Sequence, residues 1–257
     1  AVSSTRSITL NGATFTDNGK NGTTVETDNG GAIYNEGVMY INSGTDVTKF
    51  IRNSAVLNGG AIYGMGGSGS VSSGTLFDSN TAGQNGGAIY TTSTPTFTGA
   101  IFKNNWADNY GGAVYSATTN TSYTNCTFTD NGKDGATVMT ERGGAVYDAN
   151  SAMTITGGTF TSNASNYAGG AVYNTISTTG RTFTTNGTTF DSNSSASGGA
   201  FYNYAGVASL TDTTFKNNTA SGSGGAVYST GGTMTITGND FNGNTATTNG
   251  GAVYNDT

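Results

Sequence analysis

Apolar and polar residues alternate along this chain in short bursts, none long enough to build a helix. Met153-Thr154-Ile155-Thr156 is one burst, Met234-Thr235-Ile236-Thr237 repeats it letter for letter, and Ser7-Ile8-Thr9-Leu10 is a looser version. Period-two alternation with β-branched residues predicts a strand. The turn Gly157-Gly158 follows, then Thr159-Phe160 and Asn163, and after a polar link Gly169-Gly170-Ala171-Val172-Tyr173 reads as another strand. Glycine and asparagine interrupt every apolar run, and no segment keeps a helical period for ten residues, so no helix is expected.

The bursts recur. Gly-Gly-Ala-(Ile/Val/Phe)-Tyr occurs nine times, starting at Gly30, Gly59, Gly86, Gly111, Gly143, Gly169, Gly198, Gly224 and Gly250, at intervals of 25 to 32 residues. A second phrase, Phe-x-x-Asn, keeps step with it. Its phenylalanines are Phe15, Phe50, Phe77, Phe102, Phe128, Phe160, Phe190, Phe215 and Phe241, and its asparagines are Asn18, Asn53, Asn80, Asn105, Asn131, Asn163, Asn193, Asn218 and Asn244. A fixed phrase at this period marks a repeat architecture. One coil of about 26 residues with two or three short strands cannot bury an apolar face alone, but stacked coils can. The pattern therefore predicts an all-β fold, a single parallel β-helix (β-solenoid) of about nine coils over residues 1–257. The handedness rule for parallel crossovers makes it right-handed. Nine coils at the spacing of paired strands give a rod of roughly 43 Å.

The fixed residues then acquire roles. The phenylalanines should stack inside as a core ladder. The asparagines should sit at turns, where Asn tolerates left-handed backbone, and form a ladder that satisfies their amides. The glycine pair should supply a bend that admits no Cβ. After it, alternation places Ile33, Ile62, Ile89, Val114, Val146, Val172, Phe201, Val227 and Val253 inward, with Ala and Tyr outward. The opposite phase remains open, and would require nine buried tyrosine hydroxyls to find partners.

Two coils carry a matched insertion. Asp17-Asn18-Gly19-Lys20-Asn21-Gly22-Thr23-Thr24-Val25 corresponds to Asp130-Asn131-Gly132-Lys133-Asp134-Gly135-Ala136-Thr137-Val138, four coils later. Loops at about 17–28 and 130–141 should bulge from one edge of the rod. In the second, Asp130 and Asp134 outline an oxygen-rich loop that Glu141 could close around calcium. A solvated Gly/Asn/Asp turn accounts for the same residues without a metal, and no cofactor is expected.

The pairing of Gly-Gly-Ala-(Ile/Val) with Phe-x-x-Asn, over all nine coils from about Phe15 to Tyr254, resembles the repeats of the chlamydial polymorphic outer membrane proteins. These are autotransporter adhesins with β-helical passengers. The resemblance implies the same fold, display at the cell surface and adhesion.

Composition narrows the function. The chain is 9% charged with a net charge of −6, it has no histidine, and Cys126 is its single cysteine. An intrachain disulfide and a Cys/His metal site are excluded, and Cys126 reads as a small apolar residue near Phe128. The 27 aromatics, most of them at fixed phase, argue against disorder, which requires few. An acidic chain without a basic patch argues against nucleic acid, and no apolar run approaches membrane-helix length. Polysaccharide lyases and hydrolases need clustered carboxylates, or calcium beside a basic residue. The 15 acids here are scattered, with Asp191, Asp212 and Asp240 in different phases, so an enzyme is not expected. No one phase carries Thr-x-Thr in every coil, as a flat ice-binding array requires. Sequons begin at Asn21, Asn120, Asn125, Asn163, Asn186, Asn193 and Asn217.

The opening Ala1-Val2-Ser3-Ser4 fits the product of signal-peptide cleavage, which predicts an extracellular or cell-surface protein. Neither end reads as a polar cap. Ser7–Leu10 precedes a Phe and Tyr254 closes the last phrase, so the ends look like complementary fragments of one coil. The expectation is a structural subunit of an extracellular filament or matrix, an open homopolymer joined head to tail. Ile8, Leu10 and Phe15 of one copy would meet Phe241, Val253 and Tyr254 of the next. The alternative is an adhesin segment of a larger cell-surface protein, binding through a Tyr or Thr/Asn face, with cell-surface or matrix glycans as candidate ligands.

Overall fold

The computed structural model describes residues 2–42, 44, 46–117, 120–149, 152–175 and 181–256. Ala1 and Thr257, on which the readings of the two ends partly rested, lie outside them. Among the described residues every element is a strand, and three long parallel sheets run the length of a β-solenoid. The tyrosine sheet has ten strands in chain order, from Val2–Ser4 to Val253–Asp256. The middle sheet has nine, from Ile8–Asn11 to Thr233–Thr237. The phenylalanine sheet has nine, from Thr14–Thr16 to Asp240–Asn242. Register is phrase on phrase: Ile62 pairs with Ile33 and Ile89, and Phe102 with Phe77 and Phe128. Nothing else is available to the chain, because a rung with short strands closes its backbone hydrogen bonds only against the rungs on either side.

The core is the expected phenylalanine ladder. From Phe50 to Phe215 the rings are buried and stacked at 4.5–5.0 Å between centroids, while Phe15 and Phe241 on the terminal rungs are half-buried. The inward positions of the middle sheet add aromatics from outside the two phrases. Phe97 stacks on Tyr123 at 4.9 Å, and Phe183 on Phe201 at 4.4 Å. Cys126 is buried among them, and burial pushes its thiol up to about 11.

The asparagine ladder is continuous from Asn18 to Asn244. Asn80 shows the unit: its backbone N–H and its Nδ2 both donate to Asn105 Oδ1, each at 3.0 Å, and Nδ2 also donates to the Phe50 carbonyl at 3.0 Å. The left-handed residue is not the asparagine, as expected from sequence, but the one before it: Arg52 (φ 54°), Ser79 (57°), Asn104 (56°) and their equivalents. The reason is phase. Phe and Asn are three residues apart, so simple alternation would send them to opposite faces. A left-handed residue between them restores the inward direction, and the buried amide stays in normal backbone.

Alanine of the tyrosine phrase is a second departure. Ala32, Ala61, Ala88 and their equivalents are fully buried with the following Ile or Val, not outward with the tyrosines. The Ala32 and Ile33 amides both donate to the Ala61 carbonyl, each at 2.9 Å, so the chain bends there and two successive side chains point inward. The glycine pair sets up this bend. Gly59 has φ 64°, and a Cβ on Gly60 would stand 2.1 Å from the Gly87 carbonyl oxygen.

Two findings concern the outer surface and the ends. Outward positions of the middle sheet align Thr96, Ser122, Thr154, Thr184, Ser209 and Thr235. Tyr40 and Ser70 precede them in the same rank, and Asn186 interrupts the neighbouring one, so no uniform threonine array forms. The strand Val2–Ser4 pairs with Ile33–Asn35, Ser3 opposite Tyr34. The first rung therefore already contains the strand that Val253–Asp256 supplies at the other end. The two ends repeat one strand; they do not divide a coil between them.

Candidate functional site

The tyrosine of each phrase faces out, beside its own glycine bend and one strand spacing from the next. The hydroxyls thereby remain near water, which the inward phase would have denied them. The rings stack from Tyr34 through Tyr228 at 4.7–5.2 Å, and Tyr254 tilts at the end. Most are half-buried, but Tyr173 is only 8% exposed, more enclosed than an outward position predicts. Burial first, and neighbouring phenols second, push Tyr115 and Tyr202 up to about 12 and Tyr147 higher still. These three phenols are thus uncharged across the neutral range.

The residue preceding each glycine pair forms a flanking rank: Asn29, Asn58, Asn85, Tyr110, Arg142, Ala168 and Ser197. It begins as an amide ladder, with Asn58 Nδ2 donating to Asn29 Oδ1 at 3.0 Å and Asn85 Nδ2 to Asn58 Oδ1 at 2.9 Å. At Arg142 it becomes a cation among aromatic rings. The guanidinium lies 5.6 Å from the Tyr110 ring centroid, 5.8 Å from Tyr167 and 6.0 Å from Tyr173. Arg142 Nη1 also donates to the Tyr110 hydroxyl at 3.2 Å. Arg142, Tyr167, Tyr173, Ser197, Tyr202 and Tyr204 line an open cavity of about 280 Å³. Tyr167 and Tyr204 are the most exposed, at 56% and 49%. The arrangement gathers aromatic rings and one cation at the surface. Rigid amphipathic rings around a weakly hydrated cation are the side chains that dominate recognition surfaces.

The residues singled out from sequence distribute as follows. Both phrase ladders are structural. Asp130 accepts from Lys133 Nζ at 2.8 Å, Asp134 is an exposed hairpin residue, and Glu141 lies 3.8 Å from Arg142 Nη1. Among the described residues no three acids, cysteines or histidines come close enough to hold a metal, and Asp130, Asp134 and Glu141 are not brought together. Ile8, Leu10 and Phe15 lie at one end and Phe241 and Val253 at the other, half-buried against the core. Asn163 and Asn193 of the sequons are sealed in the asparagine ladder, whereas Asn21, Asn120, Asn125, Asn186 and Asn217 are exposed. The sequence reading missed Tyr110, Arg142, Tyr167 and Tyr204, which stand outside the repeated phrases. Their signal was available: Tyr110 and Arg142 each directly precede a glycine pair, so stacking had to make them neighbours.

Four stretches match the model of the Chlamydia polymorphic membrane protein (Chlamydia_PMP) repeat: residues 74–92, 99–117, 212–230 and 240–256. Each contains one Phe-x-x-Asn and the tyrosine phrase that follows it. No curated protein and no solved structure matches the chain. The chain is thus a β-solenoid, and these four of its rungs are similar to the Chlamydia polymorphic membrane protein repeat.

Proposed function

We propose that this chain is an adhesive passenger segment of a cell-surface protein, autotransporter-like in design, that binds its partner through the tyrosine face around Arg142. The observation that carries the reading is the exposed aromatic cluster itself. A solenoid needs its inward ladders to stand, but nothing in its folding requires Tyr110 and Tyr167 to gather around an arginine on the outside, or Tyr204 to line the cavity beside it. Tyrosine and arginine are the residues enriched at binding hot spots, and the repeat family is named for membrane proteins that vary in form. No carboxylate cluster suggests a reaction, and the proposed role is recognition without turnover. The filament subunit is the weaker reading, since its argument was a coil shared between the two ends and Val2–Ser4 completes that rung within one chain.

The test is retention of microspheres coated with the 257-residue protein on a panel of cultured cells under flow. Coated spheres should be retained above albumin-coated ones. The triple variant Arg142→Ala, Tyr167→Ala, Tyr204→Ala should lose most of that retention while its circular dichroism stays unchanged. Equal retention of the variant removes the tyrosine face from the reading, and no retention of the parent protein on any cell removes adhesion.

A further inference from the structure

A second site stands on a different edge of the solenoid. After the asparagine of each Phe-x-x-Asn, most rungs continue into a two-residue strand with one side chain outward. Ser54–Ala55, Thr81–Ala82 and Trp106–Ala107 are three of these, paired in one small sheet. On the rungs before and after these three, a hairpin replaces the strand. Lys20–Asn21 pairs antiparallel with Thr24–Val25, and Lys133–Asp134 with Thr137–Val138. Both leave the rod at a left-handed glycine, Gly19 (φ 81°) and Gly132 (φ 82°), where a Cβ would stand 1.9 and 2.0 Å from a carbonyl oxygen of the adjacent rung. The matched insertions are therefore two walls, four rungs or roughly 19 Å apart, with three rungs as the floor between them. The trough they enclose measures about 760 Å³.

The floor is specialised. Beyond the second wall the same rank runs Ala164, Ser194, Thr219 and Thr245, all small. Between the walls it is Ser54, buried at the foot of the first wall, then Thr81 and Trp106, the chain's single tryptophan, both half-buried, with Ala107 beside it inward. Ser54 and Thr81 share a hydrogen bond of 2.7 Å, and Ser79, Asn104 and Thr23 add hydroxyls and an amide. The charges balance, with Lys20 on one wall and Asp134 on the other in no ion pair and opposite in sign, and the rest paired. Arg52 meets Asp17 at 2.7 Å, Lys133 meets Asp130 at 2.8 Å, and Lys103 alongside meets Asp78 at 3.1 Å.

We propose that this trough is a binding site for a short, uncharged oligosaccharide lying along the rungs and stacked on Trp106. The volume suits a small ligand and not a protein surface. A single indole face offers a platform for the C–H side of a sugar ring, and fixed hydroxyl, amide and paired ionic groups answer its hydroxyls. Two ion pairs on the lining and one further charge of each sign leave no cluster of one sign for a sulfated or uronic chain. The site deepens the adhesive reading and rests on it only for the source of the sugar, a glycan of the adjoining surface.

Trp106 is its own reporter, because tryptophan emission from this protein comes from the trough alone. The full chain is titrated with cellotetraose, chitotetraose, maltotetraose and α-1,6-mannotetraose, with a heparin tetrasaccharide as the acidic comparison. At least one neutral sugar should change the emission saturably at millimolar concentration or below. By calorimetry that sugar should bind at least about tenfold more weakly to Trp106→Ala, and with a smaller loss to Trp106→Phe, which keeps a ring. The triple variant of the tyrosine face should bind it unchanged, so failed cell retention and failed sugar binding remain separate results. No saturable change with any neutral sugar, a response to the heparin fragment alone, or full affinity in a folded Trp106→Ala would each overturn the proposal.

Discussion

At the scale of single residues, position within the rod decides what a side chain is worth. Phe160 is sealed between Phe128 and Phe190, while Phe241 has a neighbour on one side and is half-buried. Phe160→Ala should cost about 3–5 kcal/mol, as other buried Phe truncations do, and Phe241→Ala only roughly 1–2 kcal/mol. Denaturant titrations of both variants check this, and equal losses would mean that the ladder is not the source of stability. The amide ladder makes a sharper prediction. Asn105 Oδ1 accepts twice from Asn80, and its Nδ2 donates to the Phe77 carbonyl and to Asn131. Asn105→Ala leaves buried donors and an acceptor without partners and should cost about 3 kcal/mol. Asn105→Asp should depend on pH. Burial raises the new carboxyl above its unfolded value near 4, so stability is retained below that value and falls as pH rises through the folded one. A melting temperature that does not respond to pH between acid and neutral would contradict the burial of this ladder.

At the scale of elements, the hairpins separate space from conformation. Gly135 at one tip has φ 56° and open space around the missing Cβ, whereas Gly132 at the root has φ 82° and the Ala164 oxygen in the way. Gly135→Ala should cost about 1 kcal/mol for left-handed backbone alone. Gly132→Ala should cost more, because the rung beneath must also move, and thermal melts of the two variants give the comparison. The sheets, both ladders and the two bulges were legible in the sequence because repetition supplies the register: residues in equal phase must meet. Legibility ended where the backbone departs from simple alternation. The left-handed residue before each asparagine and the bend at alanine each shift the phase by one, and period-two counting cannot anticipate a shift. It also failed for residues outside the phrases. Arg142 and Trp106 appear once each in their ranks, and a search for what recurs passes over what occurs once.

At the scale of the whole molecule, the tyrosine stripe ties the solenoid's stability to alkaline pH. The phenols of Tyr115, Tyr202 and Tyr228 are pushed up to about 12 from an ordinary value of 10.0, with burial the first cause in each case. Below pH 10 the folded and unfolded chains hold these protons equally, and the ladder's contribution is intact. Above it the unfolded chain releases protons that the folded ladder retains, so unfolding becomes progressively favoured as pH rises through the folded values. Each ring lies between rings on the rungs above and below, and a repeat array transmits loss of one interface to the next. Ionisation of the ladder should therefore accompany unfolding. Phenolate absorbance of Tyr115, Tyr202 and Tyr228 should rise only well above pH 10, coinciding with loss of the β-sheet circular dichroism signal. Replacing Tyr147, whose phenol burial raises further than those three, with phenylalanine should reduce that rise and move the loss of structure to higher pH. All 14 tyrosines titrating together near pH 10 with the dichroism unchanged would show that the stripe is solvated, and that the aromatic face is looser than its stacking distances imply.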